Sequence, residues 1–300
     1  MDIGILLVIT AFLWLLFASI SDLRTREVPD WISYSLIAIG ISFNLISYVI
    51  SSNTSFLINP LFGFLLCFII ANLMYYSRQW GGGDAKLLMG LGILLSSYPK
   101  PFADIFNPTL YDLPFIVTFL MNLLVIASLY GILWVIYLAL KNYHKLKENF
   151  SKIMKQDKKA RYIVSFVVLA LLLFSFFIDE IIKFIVILSS LLLFTMFYFS
   201  LLIKSVEDVC MFKKLPVQKL TEGDWVLEKV YINKELIYTP RKTGLTKEDI
   251  SLLMRHEKKI HYVIVKEGLP FVPAFLITLI VSIIFGNIII YVAQGILSSS

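Results

Sequence analysis

The sequence predicts an all-α polytopic membrane protein of about eight transmembrane helices, with a small α+β module before the last one. Of its 300 residues 58% are hydrophobic, and the mean hydropathy is +0.82; a soluble domain of this length is usually near half apolar. The excess is gathered into long runs, and about 18 or more consecutive apolar residues read as a membrane span. Basic residues are confined to alternate connections between those runs, the pattern left by cytoplasmic loops.

The runs are 3–20, 31–50, 56–76, 85–99, 113–140, 162–178, 181–203 and 269–296. The first has no Lys or Arg before it and no small-residue cleavage site, so it reads as a permanent span, not a signal peptide. The fourth is short. The sixth and seventh are separated only by Asp179, Glu180 and Lys183, which predicts a tight hairpin. With eight spans, 25 of the 27 basic residues fall on one side, in 21–30, 77–86, 141–161 and 204–268, and only Lys100 and Lys183 fall on the other. This bias puts both termini outside and the basic segments in the cytoplasm. The net charge of +6 is then a topology signal and points to no nucleic-acid partner.

The chain divides into four regions: a four-helix bundle at 1–100, three further spans and a basic loop at 101–203, a cytoplasmic module at 204–268, and a last span at 269–300. The basic loop, Lys141 to Arg161, reads as a solvated juxtamembrane face attracted to anionic lipid. In the module, Trp225 to Ile232 is β-branched and aromatic, as strands are. A turn is expected at Asn233 to Glu235 and a return strand at Leu236 to Thr239. Thr246 with Asp249 three residues on is a capping-box spacing, and it starts a helix with Ile250, Leu253 and Met254 on its apolar stripe. A third strand is expected at Ile260 to Val265.

Two acids stand at span ends on the predicted cytoplasmic side: Asp22 after the first span and Asp84 at the start of the fourth. Ionisable groups at membrane depth are functional candidates by default. Asp84 alone reads as a helix N-cap, and Asp22 as an interfacial charge offset by Arg24 or Arg26. The stretch WGGGDAK at 80–86 asks for more, because an N-cap does not need three glycines. Gly81, Gly82 and Gly83 allow another backbone to come close, and a protease binds its substrate's backbone extended. Two nearby carboxyl groups sharing one proton supply a base for water and an acid for the carbonyl oxygen. If Asp84 begins a helix, the helix dipole favours its ionised form, and Asp22 then holds the proton.

Other chemistries fit less well. His256 and His261 are five apart, about 140° around a helix, where a zinc protease helix needs four. No G-x-S-x-G element is present. Cys67 and Cys210 form no C-x-x-C, so neither a disulfide framework nor a zinc knuckle is expected. No metal and no cofactor is expected. Glu27 and Asp30 read as local partners of Arg24 or Arg26, and Asp224 as a turn residue. Pro270 and Pro273 mark the entry to the last span. Phe174, Phe176 and Phe177 read as lipid contacts.

Gly81-Gly82-Gly83-Asp84 resembles the Gly-x-Gly-Asp motif of membrane aspartic proteases. Asp22 with Arg24, Arg26 and Val28-Pro29 resembles the first acid segment of the type IV prepilin peptidase family, and Ala85-Lys86-Leu87 matches the residues after its second acid. The tail from Lys219 to Asp224 and from Glu267 to Phe275 is similar to the C-terminal part of archaeal preflagellin and prepilin peptidases. The resemblance covers about 1–100 and 215–280. It implies Asp22 and Asp84 as the catalytic pair, with Lys86, Arg24 and Pro29 as supporting residues. It implies a cytoplasmic-side cut, after a small residue, in precursors whose short basic leader precedes a hydrophobic helix. The bacterial enzymes' cysteine cluster and glycine-rich methyl-donor loop have no counterpart, so peptidase activity without N-methylation is expected. The rival readings are a presenilin-like intramembrane protease, sharing Gly-x-Gly-Asp and a late Pro-Ala-Phe, and a transporter or channel with a glycine-broken helix.

Overall fold

The computed structural model describes residues 3–110, 114–233, 235–241 and 244–299. The chain divides into two compact units, Met1–Ile132 with Leu215–Ser300, and Leu133–Lys214. Among the described residues six helices are long and apolar enough to cross a membrane. They are six of the eight expected spans; the other two, 85–99 and 269–296, fall short of that length for local reasons.

Five helices open the first unit: α1 (Ile3–Thr25), α2 (Asp30–Ser51), α3 (Ser55–Tyr76), α4 (Gly82–Leu94) and α5 (Lys100–Phe106). The first three are among the six long apolar helices. The fourth expected span is the 13-residue α4, about 20 Å long and too short to cross the hydrocarbon core unaided. It is sheathed instead by protein: Ala85, Leu87, Leu88, Leu91, Ile93 and Leu94 are all buried. Glycine permits this packing. A Cβ on Gly63 of α3 would run into the carbonyl of Gly92, and one on Gly92 into the carbonyl of Gly63. The α3 and α4 backbones therefore touch, as small residues allow between membrane helices. On the other side, a Cβ on Gly90 would stand 2.9 Å from Leu36 of α2. Asn44 of α2 donates to its own Gly40 carbonyl at 2.8 Å and to that of Ile93 at 3.4 Å. The Trp14 indole of α1 donates to Ser35 of α2 at 2.7 Å.

The helix α6 (Phe115–Lys141) runs from the first unit into the second. The basic stretch expected as a loop at 141–161 is mostly a helix, α7 (Tyr143–Gln156). Its Leu146 and Ile153 are buried, and seven residues is two helical turns. The helices α8 (Lys158–Phe174) and α9 (Glu180–Val206) form the expected hairpin, joined by a short 3₁₀ turn at Ser175–Phe177. Phe174, Phe176 and Phe177 are exposed. In this unit Val135, Leu146 and Val206 form a small core.

The module carries β1 (Phe212–Leu215), β2 (Trp225–Val226), β3 (Val230–Ile232), β4 (Glu235–Tyr238), α10 (Lys247–Arg255) and β5 (Val263–Lys266). The single strand expected over 225–232 is two strands in two sheets. One sheet has the order β1-β5-β2, and β3 and β4 pair as an antiparallel hairpin. The middle of the expected turn, Lys234, lies outside the described residues. The capping box forms: the Thr246 N–H donates to Asp249 at 3.0 Å, and the Asp249 N–H to the Thr246 hydroxyl at 3.3 Å.

The last expected span, 269–296, is broken into α11 (Val272–Phe285) and α12 (Ile288–Ser299). Gly286 has φ +69°, and a Cβ there would strike the Thr109 carbonyl. Polar groups freed by the break find partners. The Thr109 N–H donates to Phe285 O, and the Asn287 N–H donates to Thr109 O. Asn122 of α6, fully buried, donates to Gly286 O at 2.7 Å and accepts from the Ile288 N–H at 2.9 Å. Broken backbone at membrane depth is tolerated where protein satisfies it in this way.

Candidate active site

Asp22 lies in the last turn of α1 and Asp84 in the first turn of α4. The fold brings them together, close enough for the charge of Asp22 to act on Asp84. Asp22 is 4% exposed, and Asp84 is partly exposed.

The beginning of α11 holds this corner together. The Val272 N–H, at the start of that helix, donates to Asp22 Oδ2 at 2.9 Å, and the Phe271 N–H also reaches the carboxyl group. A helix start leaves such N–H groups without intrahelical partners. The same segment fixes the approach to α4. Trp80, immediately before the glycines, packs its ring 5.1 Å from that of Phe271 and 5.5 Å from that of Phe275. One turn of α11 thus grips both acid-bearing segments. In the sequence, Pro270 and Pro273 read most simply as a span entry, with a kink of the last helix near the site as the alternative. The bracketing prolines were the available signal, because they mark a helix start whose N–H groups need partners.

The Arg26 side chain is the cation whose charge acts on Asp22, and the Tyr130 phenol of α6 lies within electrostatic reach of both. Arg24 is exposed; two residues from Asp22 on a helix, it points about 200° away. Pro29 forms the N-cap of α2. Lys86 pairs with Asp30 at 2.6 Å. Asp30 was expected to pair with Arg24 or Arg26; the tertiary contact with α4 supplies Lys86 instead. Both partners are substantially exposed, so the pair adds little stability.

Asp84 is the third residue of α4, not its N-cap. Gly81 is the N-cap, and its N–H donates to Asp84 Oδ2 at 3.1 Å. None of the three glycines has a positive φ. Only Gly83 is sterically required: a Cβ there would stand 2.9 Å from Val28 Cβ and 3.2 Å from Val28 O. A Cβ on Gly81 or Gly82 would meet its nearest neighbour at 3.5 or 3.7 Å, ordinary contact. Gly83 therefore seats α4 against the α1–α2 connection, whereas a Cβ would fit at Gly81, beside Asp84, and at Gly82, beside Tyr75.

The module reaches this region through its turn at 221–224. The Asp224 carboxyl accepts from the Thr221 N–H at 2.8 Å. Burial, with smaller contributions from the charges of Glu27 and Glu267, pushes Asp224 above the usual carboxylate range. Glu27 belongs to the α1–α2 connection, so that turn lies near it. Among the described residues no cluster of His, Cys, Asp or Glu suited to a metal ion is present, and His256 and His261 sit in the module.

Comparison with known proteins bears on this region. Residues 9–136 match the type IV leader peptidase family. The preflagellin peptidase of Methanococcus maripaludis is 38% identical over 107 residues, 36% of this chain and 46% of that protein. The preflagellin peptidase of Methanococcus voltae is 34% identical over 155 residues, 52% of this chain and 63% of that protein. The prepilin peptidase EppA of Methanothermobacter thermautotrophicus is 22% identical over 197 residues, 64% of this chain and 51% of that protein. The matches thus span about half the length of these relatives. No solved structure matches the chain.

Proposed function

We propose, from the match of residues 9–136 to the type IV leader peptidase family, that this chain is a membrane aspartic endopeptidase. It removes the short basic leader from preflagellin or prepilin-like precursors on the cytoplasmic side, without N-methylation. The observation that carries this reading is the meeting of Asp22 and Asp84 from α1 and α4, with Asp22 anchored on the N–H groups at the start of α11. Asp22 and Asp84 are the catalytic pair of this proposal. Both termini lie outside, and the acids face the cytoplasmic boundary, as the distribution of basic residues favours.

A single helix dipole at Asp84, as expected from the sequence, would set the shared proton on Asp22. The fold supplies two helix starts, and Asp22 has the larger share of support: the Val272 and Phe271 N–H groups and the nearby charge of Arg26. A carboxylate only accepts, so Asp22 suits the base and Asp84 the acid. Water attacks the scissile carbonyl carbon and gives its proton to Asp22. Asp84 gives its proton to the carbonyl oxygen, forming a gem-diol. Asp22 then protonates the amide nitrogen, the C–N bond breaks, and a diol hydroxyl returns its proton to Asp84. The pair titrates as a unit. The space beside Gly81 and Gly82 suits an extended substrate backbone. The test is incubation of the purified chain with archaeal preflagellin and pilin-like precursors, then mass and N-terminal sequence of the product. A mature product with an unmethylated N-terminus is expected. Intact precursor across the panel would overturn the reading.

A further inference from the structure

We propose that α7 is a binding surface for the headgroups of anionic phospholipids. The inference is independent of the peptidase reading and concerns a region beyond the family match, which ends at residue 136.

Its position comes first. A single residue, Asn142, separates α7 from the candidate span Phe115–Lys141, and a single residue, Asp157, separates it from the next, Lys158–Phe177. Both ends are thereby tied to the membrane boundary. Fourteen helical residues cover about 21 Å, and this short helix is the whole of the connection between the two candidate spans.

Its faces are divided. Leu146 is buried in a core with Val206 of α9, and Ile153, on the same stripe, is also buried. Asn149 donates to Ser205 and to Asp208. The apolar side is therefore occupied within the protein. His144, Lys147, Glu148, Ser151, Lys152 and Lys155 line an open groove of about 550 Å³ along the other side. Lys147, Lys152 and Lys155 are exposed and have no ion-pair partner among the described residues.

Charge placement points outward as well. Lys158 and Lys159 open α8, exposed in its first turn, the end at which a helix dipole disfavours cations. The nearest acid, Asp157, already faces Lys204 at 3.5 Å. Three lysines against the one acid of the groove, Glu148, and unpaired among the described residues, next to two candidate spans, match anionic headgroups, each lysine near such a surface contributing about 1 kcal/mol.

The test uses the full chain in detergent, titrated with phosphatidylglycerol or phosphatidylcholine and read by native mass spectrometry. Wild type should retain phosphatidylglycerol over phosphatidylcholine. The triple variant Lys147→Gln, Lys152→Gln, Lys155→Gln should lose about tenfold or more of that retention with an unchanged unfolding temperature, and the corresponding Arg triple should keep it. Equal retention of the two lipids, or a Gln triple that binds like wild type, overturns the proposal. So does competition by millimolar inorganic phosphate, which would assign the site to free phosphate.

Discussion

Replacing Gly83 by alanine tests whether the glycine run serves the fold or the substrate. The added Cβ would stand 2.9 Å from Val28 Cβ and 3.2 Å from Val28 O, so a displacement of about 0.5–1 Å is needed to reach ordinary contact. Val28 is buried and follows Glu27 in the α1–α2 connection, just after the Asp22-bearing helix, so the strain moves Asp84, the connection, or both. Overpacking of this kind costs about 1–3 kcal/mol. A displacement of about 1 Å in a catalytic pair lowers turnover about a hundredfold. Gly82→Ala is the matched control, because its Cβ meets nothing closer than Tyr75 at 3.7 Å and alanine favours the helix. The assays are thermal unfolding in detergent and precursor cleavage. Gly83→Ala should lose both stability and turnover, and Gly82→Ala should keep its stability. A Gly83→Ala protein as stable and active as wild type would refute the seating of α4 on Val28. Loss of cleavage in a stable Gly82→Ala protein would show that the space at Gly82 belongs to substrate.

Three further predictions concern the elements that frame the site. Gly92→Ala drives a methyl group into the Gly63 carbonyl and should destabilise the first unit by about 3 kcal/mol, read as a lowered unfolding temperature. Val272→Pro removes the N–H that Asp22 accepts and also disfavours the α conformation of Phe271 before it; losing a hydrogen bond to a charged group, about 1.5–3 kcal/mol, should lower kcat at least about ten- to hundredfold, and full kcat with a raised KM would contradict it. Asn122→Ala strands Gly286 O and the Ile288 N–H in the core, a loss of about 3 kcal/mol measurable by chemical or thermal unfolding in detergent.

The apolar runs made most helices legible, because a span is written in local composition. They say less where tertiary structure substitutes for length or continuity. The short run at 85–99 crosses no lipid unaided; its Gly90 and Gly92 mark close packing that hydropathy does not register. The run at 269–296 looks continuous because one glycine and one asparagine barely lower its average, yet Gly286 breaks it and Asn122, far away in sequence, repairs the break. The lysines of α7 read as a loop although Leu146 and Ile153 stand two turns apart. Asp22 and Asp84 were visible as charges at span ends. That Asp22 rests on Val272 depends on a contact across 250 residues, which no local pattern carries.

The most direct test of the account is cleavage of a preflagellin precursor by purified wild type, Asp22→Asn and Asp84→Asn, each shown to be folded by its unfolding temperature. The account predicts processing by wild type and none by either variant at equal protein. A folded variant of either acid that still releases the mature product would contradict the shared-proton pair.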